Sequence, residues 1–300
     1  MTLALLCSGQ GRQGPGMFDA IGDGAPARAI MDVAERMLGC DLADLRGDAL
    51  QANRTAQILC VARSLAAAAS LDLPASLMVA GYSVGEMAAW GIAGCWSAEE
   101  TLRLTGGRAE LMDAASSKDD GLGFVRGLER VQVDALVRAH DCAIAIVNPG
   151  QLFVIGGDRG DVARCCAAAL AQGASHARPI GVNVASHTAR LAAAVAPFDA
   201  LLSSAATARP VAGRTLLSAS DGRVVTGARA LAGLSAQLAT CIDWAMTLEA
   251  LVERGADRML ELGPGSALAE MARGAYPHLD IRALDDFQTM AGASRWIGRA

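Results

Sequence analysis

A five-residue turn, G-Y-S-V-G at residues 81–85, constrains this chain more than any other feature. Residues 77–80 before it predict the end of a buried strand, and residues 87–92 after it predict a helix. A sharp strand-to-helix turn strains its central residue, and flanking glycines let neighbouring backbone pass close by. Such a turn lifts the Ser83 hydroxyl clear of the sheet, beside the first amides of the helix. We therefore predict that Ser83 is a nucleophile on an α/β scaffold, although the same five residues are also compatible with an ordinary tight turn.

Short β-like runs alternate with longer helical patterns along the chain, which favours an α/β fold. The predicted elements include strands at residues 3–7 and 177–184 and helices at residues 98–115, with Ser97 as the cap, and at about residues 188–202. A polar break at residues 116–121 separates two regions with different patterns of predicted elements. Beyond the break, the predicted elements follow the order βαββαβ. That order is the split βαβ, or ferredoxin-like, unit. We therefore predict a large domain formed by residues 1–120 and 186–300, with a ferredoxin-like small domain inserted at residues 121–185.

The composition excludes several classes of protein. Apolar residues make up 52% of the chain, but no apolar run reaches the ~18 residues that span a bilayer. The N-terminal run predicts a first strand rather than a secretory signal. Eight cysteines show no C-x-x-C spacing and no pairing with histidine, so we expect reduced thiols, no metal site and a cytoplasmic location.

The charge pattern and the glycine spacing exclude further partners. A net charge of −5 with scattered arginines argues against nucleic acid. Gly9-Gln10-Gly11 lacks the full dinucleotide-binding spacing, so we expect no cofactor.

A serine hydroxyl needs a general base, and the chain offers four histidines. His187 stands at a predicted strand-to-helix junction, where the small domain returns to the large one, and clefts between domains are preferred ligand sites. The other histidines are expected in exposed turns or caps. A lipase-like order of serine, acid and histidine would instead use Ser83, Asp257 and His278. We rank this alternative lower because Asp257 precedes its predicted strand.

Seven motifs resemble, in order, those of malonyl-CoA:acyl carrier protein transacylases and polyketide synthase acyltransferase domains. Together they span nearly the whole chain and are far more specific than any one of them. In the order of the chain, they are Ser8-Gly9-Gln10-Gly11-Arg12-Gln13 (P-G-Q-G-S-Q in the family), Gly81 to Glu86 (G-H-S-x-G-E), Arg108 with Met112 (R-x-x-x-M), Asn148 to Gln151 (N-S-P-x-Q), Val184-Ala185-Ser186-His187 (the catalytic-histidine segment), Gln237-Leu238 with Trp244 (Q-L-x-x-x-x-x-W), and Glu261 to Gly265 (E-x-G-P-G).

The resemblance implies a fold and a Ser–His dyad. The family has an α/β-hydrolase-like large domain with a ferredoxin-like insert. Ser83 would attack the thioester of an acyl-CoA, and His187 would take its proton and return it to the leaving thiol. The main-chain carbonyl of Gln237 would orient His187 in place of a carboxylate. The backbone amides of Gln10 and Val84 would form the oxyanion hole.

The resemblance also implies a substrate and a partner. Arg108 would pair with the free carboxylate of a malonyl-type group, since a guanidinium meets a carboxylate with two parallel hydrogen bonds. Gln10, Asn148 and Ser186 are expected to contact the substrate as well. The acceptor would be the phosphopantetheine thiol of an acyl carrier protein.

Three departures from the family pattern favour a specialised relative. Tyr82 stands where the family has histidine, and Arg12 replaces the usual serine. The family's N-x-T-x-x-x-Q-P is only partly present: Asn53 and Thr55 fit, but Leu59-Cys60 stand in place of Gln-Pro, so no role is carried over there. Candidates are the transferase subunit of malonate decarboxylase and a free-standing polyketide acyltransferase.

Two alternatives to malonyl transfer remain open from the residues alone. One is a serine acyl hydrolase of the same fold, because water and a thiol compete for the same acyl-enzyme. The other is a non-catalytic docking subunit, which an intact Ser83, His187 and Arg108 argue against.

Overall fold

Two sheets organise the structure, a computed structural model that describes residues 2–22, 24–227 and 230–298. The strands, in chain order, are β1 (Leu3–Cys7), β2 (Leu77–Gly81), β3 (Asp120–Arg126), β4 (Ala143–Asn148), β5 (Leu152–Asp158), β6 (His176–Ile180), β7 (Arg214–Leu216), β8 (Ile242–Asp243), β9 (Arg258–Glu261) and β10 (Asp280–Ala283). The helices are α1 (Ala25–Leu38), α2 (Asp48–Gln51), α3 (Asn53–Ala69), α4 (Gly85–Ile92), α5 (Ala98–Ala115), α6 (Arg130–Ala139), α7 (Arg159–Ala171), α8 (Ala192–Ser203), α9 (Leu231–Ala236), α10 (Trp244–Glu253), α11 (Ala267–Ala275) and α12 (Met290–Ile297).

The larger sheet is parallel, with the strand order β10-β9-β1-β2-β7 among the described residues. Its central strands β1 and β2 are buried along their whole length, as expected for a sheet that is covered on both faces. Leu5 and Val79 pack into the core on one face, whereas Leu6 and Ala80 pack into the core on the other. Because the strands are parallel, their carboxyl ends, including Gly81, lie at one edge of the sheet.

The smaller sheet has the ferredoxin-like arrangement that the sequence predicts. Strands β6-β3-β5-β4 are antiparallel neighbours, and α6 and α7 pack on one face over an apolar core that includes Val125 and Ile155. The predicted fold class, a large α/β domain with a βαββαβ small domain, is confirmed. Residues 121–185 remain the proposed extent of the insert.

A fifth strand joins the smaller sheet from outside that insert. Strand β8, only two residues long, pairs in parallel with β4 through Ile242 opposite Ile146 and Asp243 opposite Val147. No strand is predicted there from the sequence. Trp244 follows it directly and is buried at the start of α10. The small sheet is therefore attached to the large part of the molecule by a third chain segment.

Two predicted elements around His187 differ from the structure. The strand predicted at residues 177–184 ends at Ile180, because the chain leaves the sheet edge there and crosses irregularly back to the large part. The helix predicted at residues 188–202 starts only at Ala192, after a single 3-10 turn. The Thr188 side chain caps that turn by accepting from the Arg190 amide. His187 therefore lies in a loop rather than at a helix start.

No helix in the described parts of the chain is long and apolar enough to cross a membrane.

Candidate active site

Ser83 lies in the predicted sharp turn between β2 and α4. Its φ of 54° is in the left-handed region, where a residue with a side chain is strained by roughly 1–3 kcal/mol. Both glycines of the turn are required by their surroundings. A Cβ at Gly81 would overlap the backbone of Gly85, and a Cβ at Gly85 would overlap the carbonyl oxygen of Cys7. The turn therefore presents Ser83 at the carboxyl edge of the large sheet, two residues before the start of α4.

His187 is in direct contact with Ser83. The Ser83 Oγ and the His187 Nε2 are 2.8 Å apart, and the His187 Nδ1 is 2.7 Å from the main-chain oxygen of Gln237. A carbonyl oxygen can only accept, so Nδ1 carries the ring proton and Nε2 accepts from the serine hydroxyl. The His187 amide also donates to the Leu238 carbonyl at 2.8 Å. These contacts give the tautomer and the orientation that a general base for Ser83 needs.

The surroundings of His187 favour its neutral form. Its side chain is buried, with 1% of the residue exposed. Burial, followed by the nearby positive charge of Arg108, lowers the pKa of His187 to about 3, while the hydrogen bond to Gln237 acts in the opposite direction. The imidazole is therefore an unprotonated base at neutral pH.

The alternative triad is wrong, because its acid and histidine lie at the opposite edge of the sheet. Asp257 immediately precedes β9 and His278 lies two residues before β10, so both are at amino ends of parallel strands. Ser83 follows the carboxyl end of β2. Strands rise about 3.3 Å per residue, so the length of the sheet separates the two groups. The Asp257 Oδ1 instead accepts a hydrogen bond from the Thr2 amide at 3.0 Å.

A cavity of about 140 Å³ opens beside Ser83 and His187, between the large sheet and the small one. Gln10, Arg108 and Ser186, three of the predicted substrate contacts, also line it. The small sheet and the chain just after it contribute an apolar wall, made of Leu122, Ile146, Val154, Ile180 and Val182.

Asn148, the fourth predicted substrate contact, is not part of that lining. It ends β4, is buried, and its Oδ1 has no hydrogen-bond partner among the described residues.

Arg108 brings a buried positive charge to this cavity. Only 1% of the residue is exposed, and its Nη1 donates to the Oε1 of Gln57 at 2.6 Å and to the sulfur of Met112 at 3.1 Å. Its Nη2 is buried and has no partner in the described parts of the chain. Burial lowers the pKa of Arg108 to about 10, and the charge of Glu86 opposes this. Because a buried unpaired cation is costly, this site is suited to receive an anionic group.

Gln57 is a site residue that the sequence analysis missed. It lies on α3, is fully buried, accepts from Arg108 and donates to the Asn53 Oδ1 at 2.8 Å. The glutamine of the family motif falls at Leu59 by sequence spacing, so no role was predicted for Gln57. The sequence offers no local signal for this residue, because its role depends on a contact with Arg108, which lies 51 residues further along the chain.

The predicted oxyanion-hole amides are available for a ligand. Neither the Gln10 amide nor the Val84 amide makes a hydrogen bond within the described residues. Val84 is the residue that immediately precedes α4, so its amide belongs to the helix N-terminus. The assignment of both amides to an oxyanion hole stays a prediction.

Residues 4–279 match the family described as acyl transferase domain. The chain belongs to this family. It is 31% identical to the polyketide biosynthesis protein ThaF of Burkholderia thailandensis over 91% of this chain but only 24% of that protein, so it spans about a quarter of that relative's length. It is also 31% identical to the malonyl CoA-acyl carrier protein transacylase of Mycobacterium tuberculosis, over 90% of this chain and 92% of that protein.

Solved structures of acyl transferases share this architecture. The crystal structure of MCAT from Mycobacterium tuberculosis superposes with a TM-score of 0.86 at 27% identity, covering 99% of this chain and 100% of that one. The acyl-carrier-protein S-malonyltransferase of Burkholderia pseudomallei gives a TM-score of 0.90 at 25% identity, covering 98% of this chain and 100% of that one.

The first and last family motifs of this acyl transferase domain hold each other in place. The Ser8 hydroxyl donates to Glu261 Oε1 at 2.7 Å, and the Ala269 amide donates to Glu261 Oε2 at 2.7 Å. This contact fixes the loop that carries Gln10. Among the described residues, no group of three or more histidine, cysteine or acidic side chains could hold a metal ion.

Proposed function

We propose that this protein transfers a malonyl group from malonyl-CoA to the phosphopantetheine thiol of an acyl carrier protein, through an acyl-enzyme at Ser83. One observation carries the proposal: the buried Arg108, with a free Nη2, lies in the same cavity as the hydrogen-bonded Ser83 and His187. A nucleophile and a cation at one site match a substrate with a reactive carbonyl and a carboxylate. The names of the full-length relatives describe that reaction.

The proposed first half-reaction forms the acyl-enzyme. The Ser83 oxygen attacks the thioester carbonyl while its proton passes to the Nε2 of His187. The resulting oxyanion would accept hydrogen bonds from the amides of Gln10 and Val84, each contributing roughly 3–4 kcal/mol. The carbon–sulfur bond then breaks, and His187 returns the proton to the leaving sulfur of CoA. The Gln237 carbonyl stabilises the imidazolium that forms in between.

The second half-reaction reverses these steps with a different thiol. His187 takes the proton of the carrier's phosphopantetheine thiol, whose sulfur attacks the acyl-enzyme carbonyl. Collapse of the intermediate releases Ser83, which recovers its proton from His187. No group beyond the two substrates and this chain's own residues is needed, so we propose that the reaction uses no cofactor.

Arg108 gives the proposal its substrate class. A malonyl carboxylate that enters the cavity loses hydration, and a fixed guanidinium offsets that loss. An acetyl group would leave the Arg108 charge buried and unpaired. The site therefore favours the thioester of a diacid.

We also propose a cytoplasmic location, because CoA thioesters and carrier proteins are used there and because all eight cysteines are free thiols. The carrier would belong to fatty-acid, polyketide or malonate metabolism.

The proposal is tested by intact-protein mass after mixing with malonyl-CoA, methylmalonyl-CoA, acetyl-CoA and a longer neutral acyl-CoA. Malonyl-CoA should add the mass of a malonyl group to the wild type and nothing to Ser83→Ala. Addition of a phosphopantetheinylated carrier should remove that mass and leave malonyl on the carrier. Malonyl release as free malonate at the same rate with and without carrier would instead identify a hydrolase.

A further inference from the structure

Glu86 is a buried carboxyl group next to the site that the proposed mechanism does not yet use. It is the second residue of α4, three positions after Ser83, and 1% of it is exposed. Its Oε2 accepts from the side-chain Nε2 of Gln237 at 2.5 Å and from the Ala219 amide at 3.0 Å. A carboxylate is buried at such a place only if its surroundings stabilise it, so its contacts show what it holds.

The contacts of Glu86 complete a closed ring. Ser83 Oγ contacts His187 Nε2 at 2.8 Å, and His187 Nδ1 contacts the Gln237 carbonyl at 2.7 Å. The Gln237 side chain contacts Glu86, which the chain itself connects back to Ser83. Gln237 therefore binds His187 through its backbone and Glu86 through its side chain. Any displacement of the Gln237 segment away from α4 would break this ring.

We propose that Glu86 is a positioning residue for acyl transfer, which holds the Gln237 carbonyl on His187 and supplies the negative charge that supports the imidazolium. The inference rests on the proposed function. In this arrangement, hydrogen bonds connect Ser83, His187, Gln237 and Glu86 in that order. The carboxylate acts on His187 through Gln237 rather than by direct contact.

The charges around Glu86 explain why a carboxylate is needed. Arg108 on α5 is positive and raises the cost of protonating His187. Glu86 is the carboxylate whose charge stabilises Arg108. Asp221, in the loop after β7, also acts on Glu86 and disfavours its ionised form. When the imidazolium forms beside Arg108, the charge of Glu86 offsets the repulsion between the two cations.

The ring has a consequence for the dependence of the rate on pH. Burial raises the pKa of Glu86 to about 7, against the hydrogen bonds from Ala219 and Gln237, whereas the pKa of His187 is lowered to about 3. Glu86 is ionised above its pKa and protonated below it. A loss of acylation rate as the pH falls through about 7 would therefore not come from His187, and the proposal assigns it to Glu86.

The test compares wild type with Glu86→Gln, which keeps the shape of the side chain. Both hydrogen bonds go to Oε2, so the oxygen of the new glutamine can accept from Gln237 and from the Ala219 amide in the same place, and only the negative charge is lost. We expect kcat for malonyl transfer to fall on the order of 10–100-fold, less than the ~10⁴ that follows replacement of a directly bonded triad carboxylate. KM for malonyl-CoA should stay unchanged, and the loss of rate near pH 7 should disappear.

Glu261→Gln is the matched control. Burial also raises the pKa of Glu261 to about 7, but it lies outside the ring. The loss of rate near pH 7 should persist in Glu261→Gln. Its disappearance there, or its persistence in Glu86→Gln, overturns the proposal.

A second variant tests the link itself. Gln237→Leu keeps the main-chain carbonyl and removes the contact with Glu86. Its loss of kcat should match that of Glu86→Gln, and the double variant should be no slower than either single one. Additive losses, or a Gln237→Leu variant with the kcat of wild type, overturn the proposal, and the latter result decides even if Glu86→Gln does not fold.

The same variants are assayed with p-nitrophenyl acetate, following acylation of Ser83 by intact-protein mass. This neutral ester needs the serine and the histidine but no malonyl recognition. If malonyl transfer fails in wild type while Glu86→Gln still slows acylation by the ester, the substrate assignment is wrong and the role of Glu86 stands. If Glu86→Gln does not slow the ester reaction, the role of Glu86 is overturned.

Discussion

Burial sets the charge state of each ionisable side chain around Ser83. His187 is held neutral and Arg108 remains a cation at physiological pH, since its lowered pKa of about 10 is still well above that pH. The free protein therefore holds a base and an unpaired positive charge in one cavity before any substrate enters. Removing the side chains of this cavity one at a time tests what each of them contributes.

Arg108→Ala should invert the preference between two substrates. Malonyl transfer should lose on the order of 10²-fold or more in kcat/KM, because the carboxylate enters the cavity without its partner. Acetyl transfer, which needs no such partner, should be unchanged or faster. The measurement is the ratio of kcat/KM for malonyl-CoA and acetyl-CoA in wild type and variant. An equal loss with both substrates would make Arg108 structural and remove the main physical support for malonyl.

Gln57→Leu should weaken malonyl transfer without affecting acetyl transfer. The variant removes the acceptor that fixes Nη1 of Arg108, and a hydrogen bond to a charged group contributes about 1.5–3 kcal/mol. We therefore expect kcat/KM for malonyl-CoA to fall roughly 10–100-fold, mainly through KM. A parallel loss with acetyl-CoA would indicate a distorted α3 instead. Ser64→Ala, a buried change on the same helix that lies outside the cavity, is the control.

At the scale of an element, the strand–turn–helix unit of β2 and α4 depends on the backbone of β1. Helix α4 begins against the carbonyl of Cys7, at the end of β1, and only glycine fits at that contact. The turn that exposes Ser83 is therefore shaped by two separate chain segments, the end of β1 and the β2–α4 unit, rather than by the motif alone.

Gly85→Ala should lower the free energy of unfolding by about 3 kcal/mol, because its Cβ would overlap backbone that cannot move separately. It should also abolish acylation of Ser83. Gly274→Ala is the matched control: it lies within α11 with no atom near its Cβ position, and should be neutral or slightly stabilising. Urea unfolding of both variants makes the comparison, and a Gly85→Ala protein as stable as wild type would contradict the structure.

Elements with many apolar residues in a regular pattern could be predicted from the sequence. β1 and α5 were predicted with the bounds that the structure gives, the latter with Ser97 as its cap. The edge strand β10 was missed because only Ile281 and Ala283 are buried, too few for a periodic signal.

The residues of the candidate site fall into two groups, those that a local sequence pattern identifies and those that only a tertiary contact identifies. Ser83, His187 and Arg108 were found because each stands in a recognisable local motif. Gln57 and Glu86 were not assigned roles, because what distinguishes them is a contact with a residue far along the chain. Such contacts leave no local pattern in a single sequence.

At the scale of the whole molecule, buried ionisable groups make stability depend on pH in two opposing ways. The pKa values of Glu86 and Glu261 are raised from 4.5 to about 7. The stabilisation that these groups add to the free energy of unfolding is therefore fully present below pH 4.5 and is lost as the pH rises through 7. His187 has a pKa lowered from 6.5 to about 3. Its contribution is present above pH 6.5 and is lost as the pH falls towards 3.

His187→Gln should therefore change the pH dependence of stability in one window. Between pH 6.5 and pH 4 the wild type should lose stability relative to the variant, with a slope of up to about 1.4 kcal/mol per pH unit. Above pH 7 the difference should be constant. Urea unfolding at several pH values gives the two curves, and parallel curves across this window would show that the imidazole is not held neutral by burial.

The short strand β8 limits how this protein can be recombined with its relatives. A chimaera that exchanges only residues 121–185 would keep Ile242 and Asp243 from the recipient, although these two residues cover the edge of β4 from the donor. The backbone that leads from them also carries Trp244, whose ring packs edge-on against Tyr82 beside the nucleophile. A poor fit between β4 of one parent and β8 of the other would therefore displace Trp244, and through it Tyr82 beside the reaction centre. Crossover points should be chosen so that β4 and β8 come from the same parent.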